Sequence, residues 1–166
     1  MSWFSPRRIY LDYAAATPVL PEVYREMEKY WTHDFYNPNA IYEEGVRVKK
    51  EVEEYRTKIA RVLGVAKESV IFTSGGTEAN VLAVRGVGLG RVVAEPDSHP
   101  SILEAIRESE SDKLVLVSSP VPNNKLGRKI REERKKKGSD YPLLHVDASQ
   151  TAAYFDVSLE KLSCDL

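Results

Sequence analysis

From residue 41 onward the apolar positions follow a helical step. Within NPNAIYEEGVRVKKEVEEYRTKIARVLGV, Ile41, Val48, Val52, Tyr55, Ile59 and Val62 recur on three- and four-residue spacings, the signature of an amphipathic helix. The pattern predicts one long helix ending near Gly64. A shorter helix is predicted between Pro21 and Trp31, after an irregular opening. Beyond Gly64 the pattern changes to short apolar runs, SVIFTS, RVVAE, KLVLVSS and PLLHVDA, separated by the helical stretches TEANVLAVRG, PSILEAIRES and LGRKIREERKKKG. Strand and helix are thus expected to alternate four times. Runs that are continuously rather than alternately apolar call for burial on both faces, as in a parallel sheet between two layers of helices. The expected fold is a three-layer α/β/α domain with a mostly parallel sheet. It is read as one domain over residues 1–166, with an amino-terminal arm and short helix over 1–40 and the α/β part over 41–166. No internal repeat or Gly/Ser linker interrupts it, and the basic run RKIREERKKKG, residues 128–138, reads as a helix end.

Composition narrows the functions this fold could carry. At 166 residues, 42% hydrophobic and 30% charged, the chain can bury a real core. Its 24 Lys plus Arg against 25 Asp plus Glu leave a net charge of −1, so no overall basic field exists to hold nucleic acid or an anionic membrane. The single cysteine, Cys164, cannot form an intrachain disulfide, and without a CxxC pair neither a redox motif nor a thiolate metal cage is expected. The opening MSWFSPRRIYLDY has no apolar signal core, and no run of 18 apolar residues follows. A soluble, cytoplasmic protein without a metal site is the expectation.

In open α/β sheets, ligands gather beyond the carboxyl ends of the strands. Four such ends are polar here. In FTSGGTEAN, Gly75 and Gly76 allow backbone amides to approach an anion, Thr77 adds a hydroxyl, and the helix that follows offers free N–H groups and the positive end of its dipole. The same residues also suit an ordinary capped helix start, and both readings stand. In EPDSHPSILE, His99 lies in a Pro-flanked turn; it is either a plain surface histidine or a proton carrier with a ring able to stack on an aromatic ligand. In HVDASQ, Asp147 follows a buried strand, with Gln150 three residues on. A carboxylate there needs a helix end, a basic side chain or a cationic ligand atom. The fourth end, SSPVPNNKLG, carries Asn123 and Asn124 in a turn that needs no function to explain it.

Taken in order, IYLDYAAATP, NPNAIYEEG, FTSGGTEAN, SHPS and HVDASQ resemble the cysteine desulfurase branch of the class V aminotransferases, pyridoxal-phosphate enzymes of the aspartate-aminotransferase fold (fold type I). The resemblance runs from Ile9 onward and implies the amino-terminal part of such an enzyme's large domain. It assigns pyridoxal 5'-phosphate as cofactor, with Gly75, Gly76 and Thr77 at the phosphate, His99 stacked on the ring and shuttling protons, Asp147 at the pyridinium nitrogen, Gln150 at the ring hydroxyl and Asn124 near the ring. Asp147 would keep the ring nitrogen protonated and the cofactor an electron sink. The implied reaction releases sulfur from L-cysteine, giving alanine and a protein-bound persulfide for iron–sulfur or thiolated products.

The departures are specific. Lys125 stands where the family usually has an acidic residue. The family's Schiff-base lysine, in a Ser-x-His-Lys type segment after the aspartate strand, and its persulfide-forming cysteine loop are expected beyond LSCDL; Cys164 reads instead as a small buried thiol. The connection between PSILEAIRES and KLVLVSS, and that between Gly127 and Arg128, are shorter than in the family. An uncovered sheet edge would then call for a homodimer or a complementing second polypeptide, or mark a trimmed form of a longer parent. The chain alone is expected to be inactive. A split or degenerate relative acting through partner binding, and another class V aminotransferase or a selenocysteine lyase, are the alternative readings.

Overall fold

The computed structural model describes residues 8–106 and 111–166, arranged as two compact units, Met1–Glu53 and Glu54–Leu166. In the first unit, helix α1 (Pro21–Thr32) begins with Pro21 in its first turn, where the missing N–H costs nothing, and carries Glu22 at its positive and Lys29 at its negative end. Lys29 and Tyr30 both donate to Glu51 Oε2, at 2.8 and 2.5 Å. Glu51 belongs to helix α2 (Glu43–Leu63), which ends before Gly64 in the left-handed conformation, φ 68°. That is the helix ending the apolar period and Gly64 predict.

The second unit holds the sheet. Helix α3 (Gly76–Gly86) is followed by β1 (Arg91–Ala94), α4 (Pro100–Leu103), β2 (Leu114–Ser119), α5 (Asn124–Lys137), β3 (Leu143–Val146) and α6 (Leu159–Leu162). The strands lie in the order β1-β2-β3, all parallel. Val92 pairs with Leu116 and Leu116 with Leu143, so these three point to one face. They pack with Val84 of α3 and Ile102 of α4. Leu144 and Val146 pack with Ile130 of α5, Leu162 of α6 and Cys164, with Val117 against them. Helices therefore cover both faces of a parallel sheet, as the apolar runs of β2 and β3 predict. Strand β1 departs from that expectation, since its residues alternate between exposed and half-buried.

The run SVIFTS does not become a strand. Residues 67–69 form a 3-10 turn, and residues 70–75 run on without a ladder partner among the described residues. A strand is stable only through hydrogen bonds to a neighbour. Here Val70 is buried, while Ile71 and Phe72 are 73% and 48% exposed, the latter under the Arg56 guanidinium at 4.6 Å. The predicted helix PSILEAIRES is ordered as α4 and a turn through Ile106; its remainder, 107–110, lies outside the described residues. The outer edge of β3 is met by the last residues of the chain. Leu166 N–H donates to Leu144 O at 3.2 Å, and Val146 N–H donates to Leu166 O at 3.1 Å.

Candidate functional site

Parallel strands bring their carboxyl ends to one edge, where the turns after β1, β2 and β3 lie together. Val146 ends β3, and Asp147 follows with its own N–H on Ser119 O, 3.0 Å away. The Asp147 carboxylate is half-buried. Its Oδ1 accepts from Ser149 N–H at 3.1 Å and Ser149 Oγ at 2.6 Å, and its Oδ2 accepts from Asn80 Nδ2 at 2.9 Å. Burial works to raise its pKa, but the bonds from Ser149 and Asn80 outweigh burial and hold it below the ordinary carboxylate value. The group is a carboxylate at neutral pH. Three of its roughly four lone-pair sites are occupied, and the remaining one on Oδ2 is available to a cationic N–H donor.

Asn80 is itself buried, on the face of α3 that also buries Val84 one turn on. Its second amide hydrogen goes to Ser101 Oγ at 3.0 Å. Ser101 Oγ lies 2.8 Å from His99 Nδ1, which also accepts the Ser101 backbone N–H at 3.1 Å. A backbone N–H can only donate, so Nδ1 is the acceptor and the ring proton is on Nε2. His99 caps α4, and its exposed ring is held by a continuous path to Asp147 through two buried side chains, Ser101 and Asn80.

The amino end of α3 lies beside the same carboxylate. Gly75 is the N-cap, and Gly76, Thr77 and Glu78 form the first turn with no side-chain cap on their N–H groups. A Cβ on Gly76 would come within 3.3 Å of Ser149 Oγ, whereas one on Gly75 would meet open space. Glu78 reaches back to Ser74, accepting from its N–H at 2.6 Å and its Oγ at 2.7 Å, and these bonds keep its pKa below the ordinary value. A cavity of about 970 Å³ opens here, lined at its polar end by Thr73, Gly76, Asn80, Asp147 and Ser149. Beyond them its wall is mostly apolar, including Ile71, Leu82 and Leu143.

Among the residues singled out in the sequence, Gly76 and Asp147 line this cavity, and His99 is tied to it through Asn80. Thr77 is exposed on the first turn of α3, Asn124 is the exposed first residue of α5, and Gln150 is exposed in the turn after Asp147; none of the three lines the cavity. Asn123, not Asn124, caps α5, its Oδ1 accepting from Leu126 N–H at 3.0 Å. Sequence reasoning assigned nothing to Asn80. The available signal was a polar residue on the inward stripe of a helix, four positions from Gly76 and four from Val84.

Residues 9–125 match the model of the aminotransferase class-V family. The chain belongs to that family. This class-V chain is 29% identical over 194 residues to the cysteine desulfurase IscS of Dictyoglomus turgidum, an alignment covering 96% of this chain and 49% of that protein. Among solved structures, a NifS-like protein superposes with a TM-score of 0.75 at 26% identity, covering 96% of this chain and 53% of the other. SspA in complex with cysteine shares the fold at 22% identity and a TM-score of 0.75, over 94% and 55% of the two chains. The class-V chain spans about half the length of the curated relatives it matches.

Class V aminotransferases depend on pyridoxal phosphate, and the donor set here fits that group. A helix start with uncapped N–H groups suits its phosphate, and the spare acceptor site on an ionised Asp147 suits a protonated ring nitrogen.

Proposed function

We propose that this chain is the cofactor-cradling part of a cysteine desulfurase-like pyridoxal-phosphate protein acting on L-cysteine in the cytoplasm, in the service of iron–sulfur cluster assembly. The observation that carries the reading is the unbroken hydrogen-bonded path from His99 through Ser101 and Asn80 to Asp147, beside the open first turn of α3. It joins three of the five recognised sequence segments at one sheet edge.

In this reading Gly75, Gly76 and Thr77 bind the phosphate through backbone N–H groups and one hydroxyl. Asp147 pairs with the ring nitrogen and keeps it protonated. His99 covers the ring face and carries protons, while Gln150 and Asn124, which lie outside the cavity lining, would approach the ring hydroxyl and the ring from beyond it. When bound, the cofactor supplies an electron sink for the carbon that bears the amino group of the substrate. Sulfur leaves L-cysteine as alanine forms and is accepted by a cysteine thiolate as a persulfide. Residues 1–166 contain no Ser-x-His-Lys segment. Cys164 is 7% exposed, and its thiol pKa is raised by burial and by the neighbouring Asp165, which makes it a poor acceptor. The lysine and the accepting cysteine are therefore sought outside residues 1–166, in a longer form of the same protein or in a complementing second polypeptide. An apolar cavity wall with exposed Ile71, Phe72 and Leu82 supports a covering partner.

The test is an absorbance titration of the 166-residue chain with pyridoxal phosphate, followed by borohydride. Reversible, weak binding is expected, with no single stoichiometric adduct and no alanine formed from cysteine above the free-cofactor rate. Asp147→Ala should weaken the complex about tenfold, the worth of one hydrogen bond to a charged group. Binding unchanged by Asp147→Ala, or robust turnover by the chain alone, would overturn the assignment.

A further inference from the structure

Asp147 and His99 follow different strands, and neither touches the other directly. What links them is a pair of side chains with no role assigned so far. Asn80 is 5% exposed and Ser101 is 8% exposed, so each must find its hydrogen bonds within the protein. The directions of those bonds are determined. The Asn80 amide has two N–H groups and spends them on Asp147 Oδ2 and Ser101 Oγ, at 2.9 and 3.0 Å. With its oxygen accepting from Asn80, the Ser101 hydroxyl is free to donate to His99 Nδ1 at 2.8 Å.

We propose that Asn80, acting with Ser101, is a positioning residue that fixes the Asp147 carboxylate and the hydroxyl bond to His99 Nδ1 as one unit. Its donors fix the side of Oδ2 on which a ring N–H can bond, and the same amide orients Ser101 toward His99. The carboxylate at the cavity and the imidazole tied to it through Asn80 are thereby held in a single arrangement before any ligand arrives, so little ordering remains to be done on binding. The bland alternative is that Asn80 merely satisfies a buried polar position on α3. An aliphatic residue would fill that position at least as well, since burying an amide costs free energy unless both of its donors are used. Deepening the proposed function in this way rests on Asp147 facing a cofactor ring, but the unit itself is a property of the ligand-free chain.

That independence determines the experiment. In Asn80→Leu, similar in volume but without donors, the Asp147 side chain is followed by carboxyl carbon NMR in the ligand-free 166-residue protein, and the His99 ring nitrogens by nitrogen NMR. Loss of Asn80 leaves burial opposed chiefly by the two Ser149 hydrogen bonds, so the Asp147 midpoint is expected to move up. The His99 Nδ1 resonance is expected to move as the Ser101 hydroxyl loses its orientation, while the Ser101 backbone N–H keeps the ring proton on Nε2. Ser101→Ala separates the two arms. It should move the His99 Nδ1 resonance through loss of the hydroxyl contact and leave the Asp147 midpoint near its original value. Pyridoxal phosphate titrated into Asn80→Leu should bind about tenfold more weakly. A folded Asn80→Leu with an unmoved Asp147 midpoint and an unmoved His99 Nδ1 resonance would overturn the proposal. If Asn80→Leu does not fold, Asn80→Ser, which keeps one donor, and Ser101→Ala carry the same measurement, and an unmoved His99 in both overturns it. A shift of both NMR signals without any cofactor binding would leave the positioning unit standing and refute the functional reading on which it was built.

Discussion

His145 precedes Asp147 by two residues and shares its side of β3. It is 5% exposed, with Nδ1 2.9 Å from Ser118 Oγ, and Ser118 is fully buried. Burial pushes its pKa below the ordinary 6.5, and the nearby Asp147 charge opposes this without cancelling it. The folded protein therefore holds His145 neutral, whereas the unfolded chain takes up a proton as the pH falls through about 6.5. Stability from this group is fully present above pH 6.5 and is lost as the pH drops from there toward the depressed folded value. Urea midpoints measured at pH 7.5 and 5.5 should show the protein weaker at the lower pH, and His145→Leu should flatten that difference while lowering stability at both. Equal pH slopes in the two proteins would refute the argument. Only part of this was legible in the sequence. HVDASQ marked Asp147 at a strand end, but the role of His145 depends on Ser118 of the neighbouring strand, 27 positions away, and Asn80 depends on Asp147, 67 positions away. The first pairing is fixed by strand register and the second by the placement of α3 at the sheet edge, and no local pattern reveals either.

At the level of elements, the helices were the most legible, because a 3.6-residue apolar period survives in any context that buries one face. The long period through Val48, Val52, Tyr55 and Ile59 became α2, and Gly64 ended it. SVIFTS failed as a strand for the complementary reason. An apolar run states that a segment wants burial, but only a neighbouring strand supplies the ladder, and Ile71 and Phe72 remain exposed without one. Close approaches were equally invisible. Gly127, in the second turn of α5, packs so tightly on the turn after α6 that a Cβ there would contact Ser163 O and come within 2.8 Å of Ser163 Cβ. Ser163 is in the left-handed conformation, φ 55°, and its backbone has little room to yield. Gly127→Ala should therefore destabilise the protein by roughly 1–3 kcal/mol through overpacking, although alanine is the better helix former. Chemical denaturation measures it; a stabilised Gly127→Ala would show that α5 and the Ser163 turn move apart freely.

For the whole molecule, the decisive feature is the asymmetry of the sheet-bearing unit. One side of the sheet edge carries a connected polar network, while the cavity beside β3 continues as an apolar wall toward Ile71 and Leu82. Leu166 already pairs with β3 through two backbone hydrogen bonds, which sets the register any further strand on that side would adopt. The Arg134 guanidinium grips the Asp165 carboxylate, with Arg134 Nε also donating to Pro142 O at 2.6 Å, and Asp165 Oδ2 accepts from Leu144 N–H at 2.8 Å. Asp165 and Leu166 are thereby held beside β3. If the second half of a curated relative is supplied as a separate polypeptide, it should bind along this wall, and exchange of the backbone amides of residues 70–73 should slow markedly while those of β2, already buried in the sheet, change little. Arg134→Ala should weaken that association by loosening the Asp165 anchor, and it should leave the His99 tautomer unaltered because the polar network does not include Arg134. Amide exchange followed by mass spectrometry distinguishes the outcomes. Protection confined to α1, or none at 70–73, would show that the apolar wall is not where a partner adds to this chain.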